Sequence, residues 1–258
     1  MNELEIKKSI IKKFRKEIWS KFIKAIKDYE LIKENDNICV CISGGKDSFL
    51  LALCFEELKK HHKFNFNTKY LVMDPGYLDI NLKQIEDNAK LLNLDIEVFK
   101  SDIFDVVDKV GGSSPCYLCA RMRRGYLYAK AKELGCNKIA LGHHFNDVIE
   151  TVMLNILYNG VFGGMLPILD SKNFEGMQLI RPLYYIKEKD IIHFAKYNNL
   201  KFIDCACKVT KKNLGKRKEV KLLIEELVKT NKNADINIMN SLKNVNKETI
   251  LGYMENGE

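Results

Sequence analysis

Hydrophobic residues recur every four positions from Ile6 through Ile10, Phe14, Ile18 and Phe22 to Ile26, with Ile11, Trp19 and Ile23 beside them and lysines opposite. That spacing predicts an amphipathic helix over residues 4–29. A short apolar run, Ile38-Cys39-Val40-Cys41-Ile42, ends at Ser43-Gly44-Gly45, and helical spacing resumes over Ser48–Lys59. The order is strand, glycine turn, helix. Runs suited to buried strands follow at Tyr70–Met73, Ile96–Phe99, Ile139–Leu141 and around Leu179-Ile180, separated by helical stretches at about 81–93, 119–134 and 145–158. Apolar strands joined by crossovers of this length imply an α/β fold, a doubly wound parallel sheet covered on both faces. Beyond Pro182 the pattern is helical at 187–198, 217–230 and about 235–245. The expected organisation is an N-terminal basic amphipathic helix (1–30), an α/β domain (31–185) and a small C-terminal helical region with a cysteine loop (186–258).

Composition narrows the classes. With 46% hydrophobic and 29% charged residues in 258, the chain can bury a core and is not generally disordered. Apolar runs such as Phe49–Phe55 fall far short of the roughly 20 residues of a spanning helix, so no membrane partner is expected. The opening MNELEIKKSIIKKF has no apolar run after its lysines and no small-residue cleavage site, which predicts a cytoplasmic protein. In that reducing setting the eight cysteines point to metal binding, catalysis or burial rather than disulfides. The net charge of +8 is uneven: residues 1–30 hold nine Lys/Arg against five Asp/Glu, and residues 208–221 hold seven against one. Two basic segments on a balanced body suggest docking to a polyanion, beside the plainer reading of a solvated lysine-rich face.

Three constellations carry candidate chemistry. In Ser43-Gly44-Gly45-Lys46-Asp47-Ser48, two glycines let backbone amides approach a phosphate, the following helix N-terminus adds positive partial charge, and Lys46 and Ser48 offer further donors. The spacing is shorter than in the G-x-x-x-x-G-K-[ST] loop. Leu141-Gly142-His143-His144-Phe145-Asn146-Asp147 closes a strand and opens a helix; if helical, His143, Asp147, Glu150 and Thr151 share a face, and an Asp here points into the crevice where such sheets bind ligands. The His pair reads equally as a metal site or as helix capping. Cys116-x-x-Cys119 leads into Arg121, Arg123 and Arg124, and Cys205-Ala206-Cys207 comes much later. Four thiolates would close a structural zinc site, whereas three would leave an iron-sulfur cluster one open iron; a redox C-x-x-C lacks the expected βαβ setting. Cys39, Cys41, Cys54 and Cys136 fall in strand or helix patterns and read as small core residues.

The S-G-G-K-D-S run resembles the signature of the PP-loop, or N-type, ATP pyrophosphatase superfamily, which splits ATP between its α- and β-phosphates and transfers AMP. With the basic N-terminal helix, C-x-x-C-x-R-x-R-R-G, L-G-H-H, I-R-P-L and the late cysteines, the ordered set resembles the tRNA 2-thiocytidine synthetase family over roughly residues 4–245. The resemblance implies adenylation of the C2 oxygen of an anticodon-loop cytidine, position 32 of tRNA, and its replacement by sulfur. It assigns ATP and magnesium to Ser43, Gly44, Gly45, Lys46, Asp47, Ser48, Met73, Asp74, Gly142, His143 and Asp147, with Asp47 and Lys46 at the reacting centre. It assigns a 4Fe–4S cluster to Cys116, Cys119 and Cys205, although one residue rather than two separates the late cysteines, which leaves Cys205 and Cys207 as alternatives. Arg121, Arg123, Arg124, Lys211, Lys212, Lys216 and Arg217 would meet tRNA, a cysteine desulfurase or free sulfide would donate sulfur, and a homodimer is allowed. The competing readings are a PP-loop enzyme acting on another base or a small molecule, and a non-catalytic RNA-binding protein with structural zinc.

Overall fold

A computed structural model describes residues 2–61, 65–101, 103, 115–203 and 215–252, with the backbone alone for 115–120. The chain divides into two compact units: residues 1–146 with 166–214, and residues 147–165 with 215–258. This differs from the consecutive segments expected, because the N-terminal helices supply core to the sheet unit rather than standing apart. Ile6, Ile10, Phe14, Ile18 and Phe22 are all buried there.

Those five residues do not lie on one continuous helix. The chain forms α1 (Glu3–Ile11), a π-helical turn (Arg15–Trp19) and α2 (Ser20–Asp28). The reason is in the spacing itself: a strict four-residue repeat drifts by about 40° per step on a 3.6-residue helix, so one straight helix could not bury them all. The wider turn absorbs the drift, with the Phe14 amide donating to Ser9 O at 2.9 Å and the Trp19 amide to Phe14 O at 3.3 Å. Phe14 thereby reaches His193, Phe194 and Tyr197, at ring-centroid distances of 5.1, 5.5 and 5.7 Å.

The first unit is built on β1 (Asn37–Ile42), β2 (Asn67–Asp74), β3 (Ile96–Lys100), β4 (Lys138–Ala140), β5 (Ile168–Asp170) and β6 (Gln178–Ile180), in the spatial order β3-β2-β1-β4-β6-β5. All pairings are parallel except the edge pair β5–β6, and β5 is too short and too exposed to leave a pattern. The helices of this unit are α3 (Lys46–His61), α4 (Asp79–Leu91), α5 (Pro115–Glu133) and α7 (Glu188–Tyr197), while α6 (Phe145–Leu154) leads from it into the second. Cys39 and Cys41 of β1 pack with Tyr128, Ala131 and Cys136, and Cys54 is buried in α3; these four cysteines are core residues. Burial pushes the Cys54 thiol well above its ordinary range, which keeps it protonated. The second unit holds a π-turn (Asn155–Asn159), α8 (Gly215–Thr230) and α9 (Ala234–Ser241), with Val220, Ile224 and Met239 buried.

The sheet's order creates the functional edge. The chain runs β1, β2, β3 to one side and then returns to β4 on the other side of β1, and a crevice opens where the direction switches, at the carboxyl ends of β1 and β4. At the opposite ends, Lys138 is buried with Nζ 2.7 Å from Asp36 Oδ2 and 3.0 Å from Leu31 O, and Asp36 also accepts from Asn137 Nδ2 at 2.8 Å. Lys138→Ala strands the Asp36 carboxylate without its ammonium. It is expected to cost about 3–5 kcal/mol in denaturant unfolding, against a much smaller loss for the exposed pair partner Lys24→Ala.

Candidate active site at the phosphate loop

The turn between β1 and α3 is shaped by backbone constraints. Gly44 has φ +87°, and a Cβ there would lie 2.8 Å from Ile85 Cδ1 and closer still to Ile203. Ser48 braces the turn from inside: its hydroxyl donates to Gly45 O at 2.9 Å and accepts from the Ser43 amide at 3.1 Å. Ser48 is buried, so its hydroxyl serves the loop. On the far side of the switch point Gly142 passes so close to α3 that a Cβ would meet Ser48 N at 3.0 Å and Asp47 C at 3.1 Å.

Charged groups converge on this turn. Lys46 Nζ lies 3.3 Å from Asp47 Oδ2 and 3.2 Å from Glu188 Oε1 in the first turn of α7. Burial disfavours the ammonium, but the two carboxylates outweigh it and hold the Lys46 pKa above the ordinary lysine value. His144, buried, places Nε2 3.8 Å from Asp47 Oδ1. The helix begins at Phe145, so His143 precedes it and does not share the helical face expected with Asp147, Glu150 and Thr151. The histidine brought to Asp47 is His144, the member of the flagged pair that the family resemblance did not assign to the ATP site.

Other expected residues have varied settings. Asp74 is drawn into a turn, its Oδ1 accepting from the Gly76 and Tyr77 amides at 2.9 and 2.7 Å, and Tyr77 in turn donates its hydroxyl to Ser43 O at 3.4 Å. Met73 is buried beside Ile103. Within the second unit, Asp147 and Glu150 both accept from Arg217, at 3.1 Å from Nη2 and 2.9 Å from Nε, and burial holds the Glu150 pKa above its ordinary value despite that pairing. Lys216 sits 4.8 Å over the Tyr158 ring. Arg121 and Arg124 are exposed and Arg123 is half-buried on α5. Cys116 and Cys119 lie in the N-terminal part of that helix, their side chains outside the described residues, as are Cys205, Cys207, Lys211 and Lys212 altogether. The segment before Cys205 is anchored: Lys201 O accepts from Asn88 Nδ2 at 2.9 Å, Phe202 stacks on Phe49 at 5.3 Å, and the Ile203 amide donates to Gly44 O at 3.3 Å.

A glycine turn feeding a helix N-terminus at the switch point of a doubly wound sheet defines a protein that binds nucleotide phosphates. The family profile for the PP-loop domain matches residues 14–212. Among relatives, the tRNA-cytidine(32) 2-sulfurtransferase 1 of Francisella philomiragia is 39% identical over 250 residues, 95% of this chain and 94% of its own. The tRNA-cytidine(32) 2-sulfurtransferases of Coxiella burnetii and Geobacter metallireducens are 37% and 35% identical, over 89% and 88% of this chain and 90% and 89% of theirs. In fold, the chain is similar to the U34-tRNA thiolase NcsA of Methanococcus maripaludis, solved with its 4Fe–4S cluster, with a TM-score of 0.72 at 22% identity over 87% of this chain and 76% of that one. The chain belongs to the tRNA-cytidine(32) 2-sulfurtransferase family of PP-loop proteins.

Gly142→Ala presses a methyl against backbone that cannot turn aside. It is expected to cost about 1–3 kcal/mol in thermal unfolding and to weaken nucleotide binding by titration, whereas Gly125→Ala, whose Cβ meets nothing within 4 Å among the described residues, leaves both nearly unchanged.

Proposed function

We propose that the protein thiolates tRNA at cytidine 32, using ATP to turn the C2 oxygen into a leaving group. The supporting observation is the convergence at one sheet edge of the Ser43–Ser48 turn, Lys46, Asp47 and His144, with the chain tied to that turn at Ile203, two residues before Cys205.

The chemistry follows from the groups present. The C2 oxygen of cytosine leaves poorly, so it must first be esterified: it attacks the α-phosphorus of ATP, and pyrophosphate departs. Amides of the glycine turn and the α3 N-terminus offer fixed donors to the phosphates, and Lys46, held protonated, neutralises charge growing on the departing group. Asp47, beside both Lys46 and His144, is placed to orient these groups and to hold magnesium. Sulfur then bonds to C2, and AMP leaves with the original oxygen.

The donor set fits a soft-metal cluster. Cys116 and Cys119 are spaced i, i+3 at a helix's N-terminal end, where the helix dipole favours thiolates, and Cys205 follows the anchored Ile203 by two residues in the chain. Cys116, Cys119 and Cys205 would hold a 4Fe–4S cluster, which would supply the chemistry for binding sulfide. The exposed Arg121 and Arg124 follow the cysteines on the same helix, and an anticodon loop can present an unstacked base to such a site. Free sulfide or a cysteine desulfurase supplies the sulfur, and the enzyme works in the cytoplasm. Among the described residues no helix is long and apolar enough to cross a membrane.

Nucleoside mass spectrometry of tRNA from a strain lacking the gene is expected to show loss of 2-thiocytidine alone, restored by the wild-type gene and not by Cys116→Ala. Unchanged thionucleosides would move the substrate off tRNA.

A further inference from the structure

Two demands on Lys46 conflict. Cleaving ATP requires a firm hold on the phosphates as their charge grows, and turnover requires that the hold on pyrophosphate end. The second carboxylate on Lys46 bears on this conflict. Asp47 is the neighbour of Lys46 in the chain, but Glu188 is 142 positions away and is brought 3.2 Å from Nζ by contacts of its own. Its amide donates to Asn146 Oδ1 at 2.9 Å, and the Phe145 amide donates to Ile186 O at 3.0 Å, so the loop carrying His144 is stitched to the start of α7. The first turn of a helix favours a carboxylate at this position. Lys46 and Glu188 side chains are 28% and 19% exposed, so their contact is partly shielded from water. Both line a recess of about 410 Å³ that extends along α7 past Ile192 and Lys196.

We infer that Glu188 is a positioning residue for Lys46 that competes with phosphate for its ammonium and so limits how tightly pyrophosphate is retained. The inference rests on the phosphate-loop reading above and adds a role outside the loop. A phosphate held by Lys46 brings its charge within about two hydrogen-bond lengths of the Glu188 carboxylate, and like charges so close oppose one another. As pyrophosphate leaves, the same carboxylate receives the ammonium at hydrogen-bond distance, so the cation is not left without a counter-charge in a partly buried site. Glu188 thus aims Lys46 toward the turn while keeping its hold on anions moderate.

Calorimetric titration of inorganic pyrophosphate into the full-length protein tests this without catalysis. E188Q keeps an acceptor oxygen for Lys46 and removes the charge; it is expected to bind pyrophosphate about fivefold more tightly than wild type, the scale of one partly shielded ion pair. In turnover it should show a lower KM for ATP, a lower kcat, and inhibition by correspondingly less pyrophosphate. E188A removes the acceptor as well, so affinity still rises but kcat falls further than in E188Q, since nothing aims the ammonium. D190N removes a carboxylate from the same helical turn, one paired with Lys21 at 3.2 Å, and leaves pyrophosphate affinity within about twofold of wild type. Equal or weaker pyrophosphate binding by both Glu188 variants, or equal tightening by D190N, overturns the inference. Failure of the wild-type chain to bind pyrophosphate overturns the phosphate-loop reading itself, and the inference with it.

Discussion

The site depends on one close approach, that of the Gly142 backbone to the first residues of α3. Because no side chain fits between them, the β4 loop lies directly against Asp47 and Ser48, and His144 comes within 3.8 Å of Asp47. The parallel pairing of β1 with β4, Val40 opposite Ala140, brings the two strand ends level. The Leu141 amide donates to Ile180 O, and the stitched loop then delivers α7 with Glu188. Four groups from three stretches of chain, His144, the adjacent Lys46 and Asp47, and Glu188, thus form one line of polar contacts across the switch point.

Much of this architecture was legible because parallel strands are buried on both faces. Ile38–Ile42, Tyr70–Met73 and Ile139–Leu141 stand out as short apolar runs between turn residues, and the glycine turn falls where a strand gives way to a helix. The N-terminal helix was legible only in part. Its strict four-residue repeat signalled burial correctly, but a repeat of four is incompatible with one straight helix, and the π-turn is how the chain resolves it. The edge strand β5 offered one half-buried and two exposed residues and no period.

At the site, local signals identified the loop and long-range ones did not. Glu188 in sequence is an acidic residue opening a predicted helix, an ordinary feature; only the fold brings it to Lys46. Two adjacent histidines cannot be ranked from sequence, and burial separates them, placing His144 against Asp47. Arg217 reads as part of a basic run, yet its guanidinium is engaged by Asp147 and Glu150, so positive charge in sequence did not translate directly into charge available to a polyanion. The exposed Arg121 and Arg124 carry no such ion pair among the described contacts and remain the better candidates for RNA phosphate.

In the proposed reaction the base oxygen itself is activated and leaves on AMP. The direct measurement is the fate of that atom: a single-turnover reaction with tRNA carrying ¹⁸O at C2 of cytidine 32, with the AMP examined by mass spectrometry. Activation of the base oxygen puts one ¹⁸O in each AMP formed per thiolation. Unlabelled AMP, or ADP and phosphate in its place, would contradict it.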